Sequence, residues 1–168
     1  MEYYLKLLLI TIFTLITNIV IASSLTNEAL ERGINSTCAS YLGQLEETFD
    51  LNGLNITFAH LSDPSLYPSL HLSAKKYNNG NSVFSATLSP DGEYCYLSTV
   101  VVTSINSQNC NDITMLRIAE DSTLKTTIYA EGDYSIITPE DNSYQIILIS
   151  NGEQSCTMTE SRMMWPGR

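Results

Sequence analysis

The stretch VFSATLSPDGEYCYLSTVVVTSI, residues 83 to 105, decides the fold. Val83 to Leu88 and Tyr94 to Ile105 are rich in Val, Thr and Tyr, side chains that suit a pleated surface. Between them Pro90-Asp91-Gly92 supplies a turn, Pro pre-setting one φ and Gly admitting a positive one. The two runs therefore read as a β-hairpin. Tyr77 to Asn81 forms the turn before it, since Asn79-Gly80 suits a tight reversal.

Working outward, the C-terminal side repeats the pattern of short strands and turns. Leu124 to Tyr129, Tyr134 to Ile137, Tyr144 to Ser150 and Cys156 to Met163 read as strands separated by Glu131-Gly132-Asp133, by Pro139 to Ser143 and by Asn151-Gly152. Asn109 to Asp112 can cap a short helix carrying Ile113, Leu116 and Ile118 or Ala119. On the N-terminal side, Asn55 to Ala74 reads as an irregular segment with strand pieces, punctuated by Pro64 and Pro68. Before it, Leu30, Ile34, Cys38, Leu42, Leu45 and Phe49 recur at steps of three and four and predict one long amphipathic helix from Thr26 to Phe49. Thr26 or Asn27 can cap it.

The expected architecture is α+β: an antiparallel sheet of about six or seven strands, with the long N-terminal helix and the short second helix on one face. Thr99, Thr103, Thr126, Thr157 and Thr159 fit strands whose other face is more polar. No internal repeat is evident, although Cys95 and Cys156 each follow a turn and open a strand.

Leu7 to Ala22 is an apolar run preceded by Lys6 and closed by Val20-Ile21-Ala22 before Ser23, the layout of a secretory signal with a small-residue cleavage site. Thr11, Thr14, Thr17 and Asn18 interrupt it, which argues against a membrane anchor. The division expected is a signal peptide over residues 1–22 and one disulfide-braced domain over residues 23–168. The mature part keeps the formal charge of −10 of the 168-residue chain, which argues against binding a phosphate backbone and suits a cationic protein partner.

All four cysteines, Cys38, Cys95, Cys110 and Cys156, lie in the mature part, the count expected of a disulfide framework in an exported chain. Their spacing has no C-x2-C pair for zinc. A continuous strand from Tyr94 to Ile105 carries Cys95 too far from Cys110 for those two to pair. Two pairings remain. Joining the two helices through Cys38 and Cys110, and the two strand starts through Cys95 and Cys156, is the favoured one; Cys38 with Cys95 and Cys110 with Cys156 is the other.

Chemistry-bearing residues are sparse. His60 and His71 are the only histidines, and His60-Leu61-Ser62-Asp63 brings together the residue types of a hydrolytic triad without its geometry. The acidic pairs Glu46-Glu47, Glu120-Asp121, Glu131 with Asp133, and Glu140-Asp141 read as solvated turns or helix ends and lack the dense ligand string of a calcium loop. No catalytic residue, metal ligand or cofactor is assigned. Tyr94, Tyr96, Tyr129, Tyr134 and Tyr144 all fall on strands or their ends and form a candidate binding surface. Asn35-Ser36-Thr37 and Asn55-Ile56-Thr57 match the glycosylation pattern.

Thr37-Cys38-Ala39 on the first helix, the turn before Cys95, Asn109-Cys110 opening the second helix and Gly152 to Cys156 opening the last strand together resemble small, uncharacterised four-cysteine exported proteins of Gram-negative bacteria. Thr157 to Arg162 departs from that set, in which the last strand is more basic after its cysteine. The resemblance implies an envelope or extracellular location, carries no known activity and transfers no catalytic residue. The function expected is an exported non-catalytic binding or accessory protein acting on a cationic protein, of which lysozyme is one example. A small secreted hydrolase using His60 or His71 is the alternative.

Overall fold

The structure is a computed structural model describing residues 24–164; the expected signal peptide, and Trp165 at the C-terminal end, lie outside the described residues. The described residues form α1 (Leu25–Glu31), α2 (Ser36–Phe49), β1 (Leu54–Phe58), β2 (Ser69–Tyr77), β3 (Gly80–Asp91), β4 (Tyr94–Ile105), α3 (Cys110–Glu120), β5 (Lys125–Tyr129), β6 (Tyr134–Thr138), β7 (Tyr144–Ser150) and β8 (Cys156–Met164). They make one α+β unit around an eight-stranded antiparallel sheet ordered β1-β2-β3-β4-β8-β7-β6-β5. The helices pack on one face of that sheet, as expected. The count exceeds six or seven because the Pro-punctuated segment after α2 contributes two full strands, β1 and β2, with Leu54↔Ala74 to Phe58↔Leu70 in register.

The expected long helix is two helices. Gly33 stands at φ +77°, a conformation that breaks α-helical winding and that a Cβ penalises. Asn35 then restarts the chain as the cap of α2, its side chain accepting from the backbone N–H groups of Thr37 and Cys38. Ser24, rather than Thr26 or Asn27, caps α1. The start of α1 is tied back to α2, since the Glu46 carboxylate accepts from the Leu25 N–H and from the Thr26 hydroxyl. The break turns Leu30, part of the expected apolar stripe, outward, while Leu25, Ala29 and Ile34 are buried.

The element order contains a repeat that the sequence hides. Each half is a helical segment followed by a four-stranded meander, and the meanders meet where β4 pairs antiparallel with β8, from Leu97↔Met164 to Ile105↔Cys156. Topologically the halves are related by a two-fold axis normal to the sheet. Each half has its own core. α1 and α2 bury Leu25, Leu42 and Leu45 against Phe84, Leu88 and Leu97, and α3 buries Ile113 against Ile137, Ile146, Leu148 and Met158.

The disulfides follow the repeat, which corrects the favoured pairing. Cys38 of α2 is bonded to Cys95 of β4, and Cys110 of α3 to Cys156 of β8. Each bridge therefore fastens a helix to the last strand of its own half. Cys95 and Cys156 do each open a strand, but β4 and β8 run antiparallel, so Cys156 lies opposite Ile105 at the far end of β4 from Cys95. The exclusion of a Cys95–Cys110 bridge holds, because β4 runs unbroken from Tyr94 to Ile105. Two disulfides fit an oxidising, exported compartment, and no helix among the described residues is long and apolar enough to cross a membrane.

Candidate functional site

The two histidines occupy opposite environments. His71, on β2, is fully buried; its Nδ1 lies 3.1 Å from the Thr57 hydroxyl and its Nε2 2.8 Å from the Ser69 hydroxyl. Burial, assisted by the Arg32 charge, pushes its pKa down to about 4, so the ring is neutral at pH 7. The Ser69 hydroxyl that it contacts is itself buried, so the Ser–His contact belongs to a packed polar layer without an open face for a substrate. His60 is exposed and rests on the Tyr67 ring with centroids 4.4 Å apart. Its Nδ1 accepts from the backbone N–H groups of Ser62 and Asp63 at 3.3 and 3.0 Å. It therefore meets Ser62 through that residue's main chain, where a hydrolytic triad needs the serine hydroxyl.

Neither glycosylation match presents a free acceptor: the Asn35 side chain caps α2, and Asn55 Oδ1 is buried. No group of three or more His, Cys, Asp or Glu able to hold a metal ion occurs among the described residues. The five tyrosines do not converge. Tyr94 and Tyr96 stand at the start of β4, whereas Tyr129 and Tyr134 face each other across the β5–β6 pair at the opposite strand ends. Tyr144 belongs to the helix-bearing face, where the Arg162 guanidinium lies 4.8 Å from its ring centroid.

Strand registers divide the sheet into a helix-bearing face and an open face; Ser85, Thr87, Ser98, Thr157, Thr159 and Ser161 lie on the open face, the more polar side expected, and an apolar row crosses it. A line of register partners crosses all eight strands on it: Leu54, Ala74, Val83, Val102, Thr159, Ile147, Ile136 and Thr127. All are apolar or threonine. At β1 and β2 the usual polarity of a half-buried sheet is inverted. Leu54 and Phe58 point outward at 67% and 54% exposure, while Thr57 between Ile56 and Phe58 is 2% exposed. Ser69, His71 and Ser73 are likewise buried on the helix side, and Leu70 and Leu72 alternate with them onto the open side. Burying hydroxyls and an imidazole beneath a helix while leaving Leu, Ile and Phe to solvent is unfavourable for an isolated domain.

Carboxylates avoid that face. Among the described residues the only acidic strand residue in register with it is Asp91, at the β3–β4 turn, and its lysines, Lys76 and Lys125, stand on β2 and on the edge strand β5. Many acidic side chains stand instead at the strand ends, and others lie on the helices, among them Glu28, Glu31, Glu46, Glu47 and Glu120. Asp91 and Glu93 sit at the β3–β4 turn, and Glu140 and Asp141 in the β6–β7 loop at the same end of the sheet. Asp121 joins them after α3, near enough to Asp141 to feel its charge. The carboxyl groups of Asp121 and Asp141 are both held below the ordinary Asp value, the first by hydrogen bonds from the Thr123 hydroxyl and N–H, the second by bonds from Ser143. The opposite end carries Asp112, Glu131, Asp133 and Glu153.

On the helix-bearing face a groove of about 380 Å³ runs beside α2, lined by Tyr41, Leu45, Phe49, Leu97, Arg162 and Met164 among others. Arg162 is neutralised there by Glu160 at 2.6 Å.

The open face left two traces in the sequence. Val100-Val101-Val102 breaks period-two alternation, as a strand apolar on both faces does. The polar residues of β1 and β2, Asn55, Thr57, Ser69, His71 and Ser73, recur at alternate positions, but only their burial shows which side they take. No family model, curated protein or solved structure matches the chain.

Proposed function

We propose that the chain is an exported binding protein whose partner is a cationic protein, held by the acidic turns at the strand ends. The observation that carries this reading is the segregation of charge. In a chain of net charge −10, carboxylates stand at both ends of the sheet, those of Asp121 and Asp141 fixed in turns by hydrogen bonds from Thr123 and Ser143. Fixed like charges on rigid turns raise the local potential, steer an oppositely charged partner and give its binding a strong salt dependence. The disulfide of each half braces the scaffold that presents those turns.

The test is capture from native envelope or culture medium at about 0.05 and 0.3 M salt, followed by titration of the captured protein with the unaltered chain and with an Asp91→Asn, Glu93→Gln, Asp141→Asn variant. The reading expects a basic protein, affinity that falls as salt rises, and weakening by at least about tenfold in the variant. Capture of no basic protein at either salt, or equal affinity for the variant, refutes it.

A further inference from the structure

We infer that the open face of the sheet is a self-association surface, covered by the same face of a second copy in a two-fold sheet-on-sheet dimer. The inference goes beyond the cationic-partner reading and stands independently of it.

The first argument is polarity. The inverted pattern of β1 and β2 puts Leu54, Phe58 and Leu70 outward and Thr57, Ser69 and His71 inward. A surface built that way is stable in water when something apolar covers it. The second is charge. Any contact between two copies of net charge −10 is opposed unless the touching surfaces are free of carboxylates, and the strands of the open face are free of them up to Asp91 at the hairpin tip. Its lysines, Lys76 next to the end of β2 and Lys125 on the edge strand β5, stand at the margin of the face, where they can meet acidic ends of the other copy.

The third argument is area. Neighbouring strands lie about 4.8 Å apart and rise about 3.3 Å per residue, so the six inner strands present roughly 24 by 30 Å, or about 700 Å² per copy. A pair then buries roughly 1,400 Å², within the size of a specific protein interface. The fourth is shape. Val83, Val102 and Ile147 stand in line across the sheet, with Thr159 between Val102 and Ile147 and Ala74 beyond Val83, a ridge of the kind that interdigitates when two twisted sheets stack about 10 Å apart. A two-fold dimer pairs this ridge with itself, leaving the acidic turns of both copies at the rim.

Sedimentation velocity of the oxidised, secreted chain tests the inference, with Val102→Lys and Val83→Lys as variants. Both positions are already partly exposed, and retention of both disulfides and of the circular dichroism spectrum shows that each variant is folded. The expected result is a dimer that tightens between about 0.05 and 0.3 M salt as the repulsion of like-charged copies is screened, opposite to the salt effect on a cationic partner. Each lysine variant should weaken dimerisation at least about tenfold. A monomer at roughly 100 µM at both salts, or undiminished dimerisation of a folded variant, overturns the inference. Cationic-partner binding measured on the same folded variants is expected to persist, so failure of one reading is distinguishable from failure of the other.

Discussion

Acidification should destabilise this protein through His71. The neutral ring is held between the Thr57 and Ser69 hydroxyls, with its pKa lowered from 6.5 to about 4 by burial and by Arg32. The unfolded chain takes up a proton near pH 6.5 and the folded chain only near pH 4, so the unfolded state binds more protons in between. Stability from this group is therefore fully present above about pH 6.5, falls as pH drops towards 4, and falls no further below that. At about 1.36 kcal/mol per pKa unit, the loss at pH 4.5 is roughly 2.5 kcal/mol. With a urea slope of about 2 kcal/mol per M, that moves the unfolding midpoint down by roughly 1.3 M. Urea unfolding at pH 8 and pH 4.5, for the unaltered chain and for His71→Gln, isolates the effect, because the carboxylates titrate in both. His71→Gln should be less stable at pH 8, where it disturbs the pair of hydroxyl contacts, yet should lose about 2.5 kcal/mol less between the two pH values. Parallel losses in the two chains, or a His71 titration by NMR near pH 6.5, would refute the reasoning.

Non-reducing peptide mapping should return Cys38 linked to Cys95 and Cys110 linked to Cys156, and either cross-half peptide would contradict the repeat. Removing both cysteines of one bridge should cost at most about 4 kcal/mol by loop entropy, with hydrogen exchange rising mainly in the half that lost its bridge; uniform loss of protection would show that the halves do not have separate cores. Phe84→Ala should cost about 3 to 5 kcal/mol in chemical unfolding, since the ring is 2% exposed and lies against Phe49 with centroids 5.2 Å apart. Gly33→Ala should cost about 1 to 2 kcal/mol, because φ is +77° and the new Cβ would stand 3.1 Å from Pro64; an unchanged melting temperature would deny that Gly33 is what separates α1 from α2.

What the sequence alone determined is local. Val-, Thr- and Tyr-rich runs between Pro-Asp-Gly, Asn-Gly and Gly-Glu turns set the strands from β3 onward, and an apolar stripe containing Cys38, Leu42 and Leu45 set α2, because turn chemistry and side-chain period act over a few residues. The α+β class and the one-sided placement of the helices followed from the same signals. The halt at Gly33 was less legible, since a glycine inside a periodic stripe reads equally as a tolerated interior residue until its φ is known. Tertiary structure alone decided three things. The pairing of β4 with β8 brought two meanders into one sheet and exposed their repeat, and strand direction then placed Cys156 opposite Ile105 instead of beside Cys95. The orientation of β1 and β2 goes with α1 meeting β1, where Glu28 accepts from the Thr57 N–H, and with the Thr57–His71–Ser69 contacts buried beside it, which put their apolar residues on the other side. The open face depends on all eight registers at once: Val83, Val102 and Ile147 are far apart in the chain, and only hydrogen-bonded strand partnership lines them up.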